Sequence, residues 1–183
     1  MAPRRFVVVG VTGAGKSTLA ERLAARLGAP YVELDALYWE PHWTEAPPDV
    51  FRARVDAATT GPTWVVAGNY DRVRNLLWAR AEALVWLDYP FPLVLGRLTA
   101  RTFRRALTRE VLWNGNRESL WDHFQLWSEK SLFNWLARTY WRYRRELPAL
   151  FAEPAHAHLA VLHLRSPREA EAWLAAVPAT DPA

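Results

Sequence analysis

The chain of 183 residues contains no cysteine. Disulfide bridges, thiolate metal sites and cysteine nucleophiles are therefore excluded, which suits a reducing, cytoplasmic setting. Lysine is nearly absent as well: only Lys16 and Lys130 stand among 23 basic residues. No uncharged run is long enough to span a bilayer. The Arg4-Arg5 pair precedes an apolar stretch, Phe6 to Val9, that is too short for a secretory signal. The expectation is a soluble protein with no membrane partner. Repeats and low-complexity segments are also missing. Hydrophobic residues make up 51% of the chain and aromatic ones 13%, with 11 Trp, so a packed core is expected rather than disorder. The length fits one domain over residues 1–177 with a tail at 178–183, as a monomer or homodimer.

Charge is unevenly spread. Residues 96–146 hold 11 basic and 5 acidic residues, whereas the remainder holds 12 and 14. A regional excess points to an anionic ligand at one place more than to a surface that coats nucleic acid.

In a chain that uses arginine almost everywhere, one of the two lysines sits in Gly10-Val11-Thr12-Gly13-Ala14-Gly15-Lys16-Ser17-Thr18, a match to G-x-x-x-x-G-K-[ST] directly behind the apolar run. Backbone N–H groups must wrap a triphosphate closely, and residues without a Cβ permit that approach. Lys16 then reaches the β/γ-phosphates and Ser17 offers a hydroxyl to Mg²⁺, while the helix that opens here adds its positive dipole end. ATP and Mg²⁺ are the implied cofactors, with Gly10, Thr12, Gly13, Ala14, Gly15, Lys16, Ser17 and Thr18 forming the cradle.

Short β-rich runs alternate with helical patterns: Arg5 to Val9, Tyr31 to Leu34, Thr63 to Ala67, Ala83 to Asp88 and His158 to Leu164. Such alternation implies an α/β fold with a parallel sheet and helices on both faces, and ligands of such sheets lie at the carboxyl ends of the strands. Asp35, just after the second run, either takes a proton from an acceptor hydroxyl, holds a Mg²⁺-bound water, or caps a turn. After the third run, Gly68, Asn69, Tyr70 and Arg72 are candidate substrate residues, and Asp71 is a candidate cap for the helix through Arg80. Asp88 ends the fourth run in the pattern of a second phosphate-loop motif that orients Mg²⁺. Residues 40–48 read as a Pro-rich loop carrying His42 and Trp43.

The following helix places Arg97, Arg101, Arg104 and Arg105 on one face and leads into an Asn114-Gly115-Asn116 turn. A lid over about 105–127 would bring one of Arg101, Arg105, Arg109 and Arg117 onto a transferring phosphoryl group. Spacing does not choose among them.

Gly10 to Thr18, Glu33-Leu34-Asp35, Gly68-Asn69-Tyr70, Leu87-Asp88 and Leu112 to Arg117 together resemble the small bacterial P-loop kinases grouped as adenylate-kinase-like or DNA topology modulation proteins. The resemblance implies a five-stranded parallel sheet in the order 2-3-1-4-5, an ATP site at the phosphate loop, an acceptor site between the loops after strands two and three, and an arginine-bearing lid. The Asp-Gly-Phe-Pro-Arg motif of adenylate kinases is absent, and Gly68-Asn69-Tyr70-Asp71-Arg72 stands in its place. The position of Asp35 is instead similar to the acid of nucleoside and shikimate-type kinases. The resulting expectation is ATP- and Mg-dependent phosphoryl transfer to a small acceptor, with a nucleotide or nucleoside-like metabolite placed first. The alternative is an ATP-binding regulatory or nucleic-acid-associated protein with weak ATPase.

Overall fold

A computed structural model describes residues 3–108, 111–116 and 132–179. Its centre is β1 (Arg5–Gly10), in which Val7, Val8 and Val9 are almost wholly buried, as a strand covered on both faces requires. Parallel partners flank it: β5 (Trp64–Ala67) on one side and β6 (Ala83–Leu87) on the other, both buried throughout. β2 (Tyr31–Glu33) and β7 (Ala160–Leu164) form the edges. The sheet order β2-β5-β1-β6-β7 is the expected 2-3-1-4-5 once the five main strands alone are counted.

α1 (Lys16–Leu27) and α7 (Pro167–Ala176) lie on one face. Phe6 meets Trp173 edge to face there, and Arg22 pairs with Glu171. The other face carries α3 (Pro48–Ala58), α4 (Asp71–Arg80) and α6 (Leu132–Phe151), with Trp78 of α4 against Phe151 of α6. α5 (Phe91–Thr108) packs against the phosphate loop, with its Val94 and Leu98 buried next to Gly13. α1 presents Leu19 and Leu23 to the sheet as the spacing predicts, and stops at Gly28 in a left-handed conformation. Ser166 caps α7 by accepting from the Glu169 N–H.

Two local expectations are corrected. Residues 40–48 are not simply a loop. After the short helix α2 (Leu34–Tyr38), β3 (Trp39–Glu40) pairs antiparallel with β4 (Thr44–Glu45) across a turn at Pro41–Trp43. The turn holds His42 at φ 63° and Trp43 at φ 55°, a region normally reserved for Gly or Asn, so no hairpin signal stands in the residues. Asp71 is the first residue of α4 rather than its cap, and its side chain pairs with Arg74 instead.

Candidate active site

The phosphate loop is opened by its glycines. Gly10, Gly13 and Gly15 all have positive φ, and a Cβ on Gly13 would lie 2.8 Å from the Val94 carbonyl oxygen. α1 begins without a side-chain cap, leaving its first-turn N–H groups directed into the loop. Lys16 Nζ donates to the Val11 carbonyl at 3.1 Å, folding its charge across the cradle. Burial pushes the pKa of this ammonium below the usual lysine value, although Asp35 and Glu33 pull the other way. Two arginines of α5 close the loop from above. Arg101 donates to Thr12 Oγ1 at 3.2 Å, and Arg97 reaches the Ala14 carbonyl at 3.4 Å while lying over the Tyr89 ring.

At the end of β2, Glu33 points to the α1 side. Its carboxylate accepts from the Tyr31 hydroxyl and lies within hydrogen-bonding reach of Ser17. Burial raises its pKa, partly offset by those two hydroxyls. Glu33 is a candidate that the residue pattern alone did not single out. Its signal was its place two residues before Asp35, at a strand end on the phosphate-loop side.

Asp35 opens α2, and its Oδ1 accepts from the Tyr70 hydroxyl at 2.5 Å. Burial and the Asp35 charge both raise the Tyr70 pKa, so the phenol remains a donor. Gly68, at φ 139°, lets β5 approach α2: a Cβ there would lie 2.8 Å from Leu34. Beside it the Asn69 amide nitrogen is buried without a hydrogen-bond partner among the described residues. Arg72 pairs with Glu45 at 3.4 Å and lies 5.9 Å from the centre of the Tyr38 ring. Asp35, Gly68, Asn69, Tyr70 and Arg72 are thus gathered around one aromatic cluster with Tyr38, Phe51 and Trp39.

The cluster is fastened from outside. Asn114 Nδ2 donates to the Trp39 carbonyl at 2.5 Å, and Asn116 Nδ2 to the Glu40 carbonyl at 2.9 Å, while Asn116 Oδ1 accepts from the Trp43 N–H at 2.9 Å. Trp43 stands edge-on between Trp39 and Trp113. The Asn-Gly-Asn turn therefore docks on the hairpin next to Asp35. Of the lid candidates, Arg101 is at the phosphate loop and Arg105 is in the last turn of α5. Arg109 and Arg117 lie outside the described residues.

Asp88 has other partners. It is buried on the α6 side of the sheet, where Oδ1 accepts from Arg144 Nε at 2.6 Å and Oδ2 meets His163 Nε2 at 3.0 Å. Both oxygens are engaged in fastening α6 to β6 and β7. Asp88→Asn is expected to weaken that anchorage by about 1–3 kcal/mol, lowering Tm by roughly 2–10 °C in a chain of this size, with the Mg²⁺ requirement unchanged. Thermal denaturation and a Mg²⁺ titration of turnover check both halves.

No family model matches the chain. In sequence it is similar to the shikimate kinase of Rhodopseudomonas palustris, 31% identical over 110 residues that cover 48% of this chain and 54% of that protein. A second relative, the shikimate kinase of Salinibacter ruber, is 31% identical over 124 residues covering 59% of this chain and 60% of its own length. The chain thus spans less than two thirds of these curated relatives. In structure it is similar to a shikimate kinase from Bacteroides thetaiotaomicron (TM-score 0.55, 14% identity, 95% of this chain and 96% of that one). It is likewise similar to a shikimate kinase from Acinetobacter baumannii in complex with shikimate (0.52, 18%, 94% and 89%) and to a gluconokinase from Sinorhizobium meliloti 1021 (0.51, 22%, 94% and 92%). At such identities the structural likenesses establish the α/β fold. The curated relatives are shikimate kinases matched over part of their length, and the adenylate-kinase-like or DNA topology modulation assignment stays a resemblance of motifs.

Proposed function

We propose that the protein transfers the γ-phosphoryl group of ATP to a hydroxyl of a small hydroxylated metabolite. The observation that carries this reading is the meeting of two chemistries at one place. A glycine-rich anion cradle with Lys16 lies against a strand end bearing Glu33 and Asp35, near enough that both carboxylates act on the lysine. Backbone N–H groups and Lys16 hold the β/γ-phosphates. Arg97 and Arg101, which contact the loop, would offset charge on the transferring group, and Arg105, Arg109 and Arg117 remain lid candidates.

Ser17 and Glu33, one hydroxyl and one carboxylate side by side, fit a magnesium ion and would hold it. When bound, Mg²⁺ would neutralise charge on the phosphates. Asp88, whose two oxygens are engaged by Arg144 and His163, is left out of this metal site. Asp35 takes the acceptor hydroxyl, and Tyr70 positions it by holding one carboxylate oxygen so that the other faces the acceptor.

The nucleotide placed first among acceptors by the sequence gives way to a metabolite that is not a nucleotide. The relatives are named as shikimate kinases and a gluconokinase, and the position of Asp35 resembles the acid of nucleoside and shikimate-type kinases alike. The test is acceptor-dependent ADP release with Mg-ATP across small hydroxylated metabolites; a response confined to nucleoside monophosphates would reverse this choice. Tyr70→Phe is expected to lower kcat roughly 10- to 100-fold while leaving KM for ATP unchanged, because it frees Asp35 to rotate without touching the phosphate loop. Equal changes in kcat and in KM for ATP would argue against a positioning role.

A further inference from the structure

Side chains alternate faces along β2, so Val32 is buried on one side while Tyr31 and Glu33 share the other, next to the start of α1. The Tyr31 hydroxyl donates to Glu33 Oε2, and Ser17 in the first turn of α1 lies within hydrogen-bonding reach of both side chains. Two hydroxyls and a carboxylate therefore meet at the mouth of the phosphate loop. The Tyr31–Glu33 bond joins neighbours on one strand, so it ties no element of the fold to another. The Tyr31 ring packs against the core with or without its hydroxyl. What the hydroxyl fixes is the direction of the Glu33 carboxylate.

Glu33 needs that restraint because its side chain is long and a competing partner is close. Lys16 and Glu33 act on each other's charge. A carboxylate that swung onto Lys16 would mask the cation that meets the phosphates and would leave Ser17 without its neighbour at the metal position. Tying one oxygen to Tyr31 opposes that swing.

Resting on the kinase reading above, we propose that Tyr31 is a positioning residue for magnesium, its hydroxyl holding one Glu33 oxygen so that the other stands beside Ser17 for the ion and away from Lys16. Tyr31 acts through Glu33 and not by touching nucleotide or metal. Removing a partner that orients a metal ligand weakens the metal by about 10- to 100-fold, which sets the size of the effect.

Mn²⁺, which suits the same carboxylate and water ligands, serves as the probe because electron paramagnetic resonance separates its free and bound forms. It is titrated into ADP with protein in excess, for the parent, Tyr31→Phe, Glu33→Gln and the double variant, while calorimetry in EDTA follows ADP binding without metal. Tyr31→Phe is expected to weaken Mn²⁺ by about tenfold, to leave metal-free ADP binding unchanged, and to raise the Mg²⁺ concentration at half-maximal turnover by the same factor. Glu33→Gln is expected to weaken Mn²⁺ at least as much, and the double variant no further than Glu33→Gln, since the hydroxyl has no role once the group it orients is gone. Equal Mn²⁺ affinity in the parent and Tyr31→Phe overturns the proposal. So does a double variant in which the two losses multiply, because the hydroxyl would then act independently of Glu33. Loss of metal-free ADP binding in Tyr31→Phe overturns it too, by making the tyrosine part of the cradle. Each of these leaves the kinase reading intact, whereas a parent that binds no ADP removes the kinase reading itself.

Discussion

Lys16→Ala is expected to reduce phosphoryl transfer by at least about a thousandfold without unfolding the protein, since a cationic clamp on a transferring phosphoryl group acts in the transition state at that scale. Among the described residues the other cations at the loop are Arg101 and Arg97, which approach from α5 with their own contacts to Thr12 and Ala14. The stability half of the prediction follows from the direction of the Lys16 pKa. Burial disfavours the charged form in the folded state, so the parent carries a cation the fold would rather not hold, and the Ala variant is expected to melt at the same temperature or slightly higher when no nucleotide is present. Added Mg-ATP is expected to raise the Tm of the parent and not that of the variant, because only a ligand that binds the native state shifts the unfolding equilibrium. Near-normal turnover by Lys16→Ala would remove the central assignment.

The parts legible in the sequence were those encoded within a few neighbouring residues. The valines of β1 declare a strand covered on both sides, and Gly13, Gly15 and Lys16 declare an anion cradle through spacing alone. Asp35 and the Gly68-Asn69-Tyr70 segment stood out by lying just past strand ends, where ligands of parallel sheets gather. What could not be read were arrangements fixed by distant residues. Asp88 has the local pattern of a metal residue, yet its partners come from Arg144 on α6 and His163 on β7, and no local rule connects them. The hairpin at residues 39–45 is held in shape by Asn114 and Asn116, some seventy positions away, which hold a turn whose His42 and Trp43 occupy a conformation costing about 1–3 kcal/mol each. Strain of that kind persists where the surroundings over-determine it, and here they do so beside the proposed acceptor residue.

Asp35→Asn isolates the chemical role of the proposed base. The amide keeps the size of the carboxylate and an oxygen that accepts from the Tyr70 hydroxyl, so the loop after β2 keeps its shape, but it takes no proton. A positioned general base contributes roughly 10²- to 10⁴-fold, and kcat is expected to fall within that range. KM for ATP is expected to move little, because the cradle is made by the glycine backbone and Lys16 rather than by Asp35. The magnesium concentration at half-maximal rate separates the two roles open to the carboxylate. If Asp35 handles the acceptor, that concentration stays put while kcat drops; if it holds a water of the metal ion, the requirement for Mg²⁺ rises and part of the rate returns at high Mg²⁺. Full activity in Asp35→Asn would leave the residue a partner of the Tyr70 hydroxyl in the first turn of α2 and would move the search for the acceptor's base to Glu33, the carboxylate at the end of β2 that acts on Lys16.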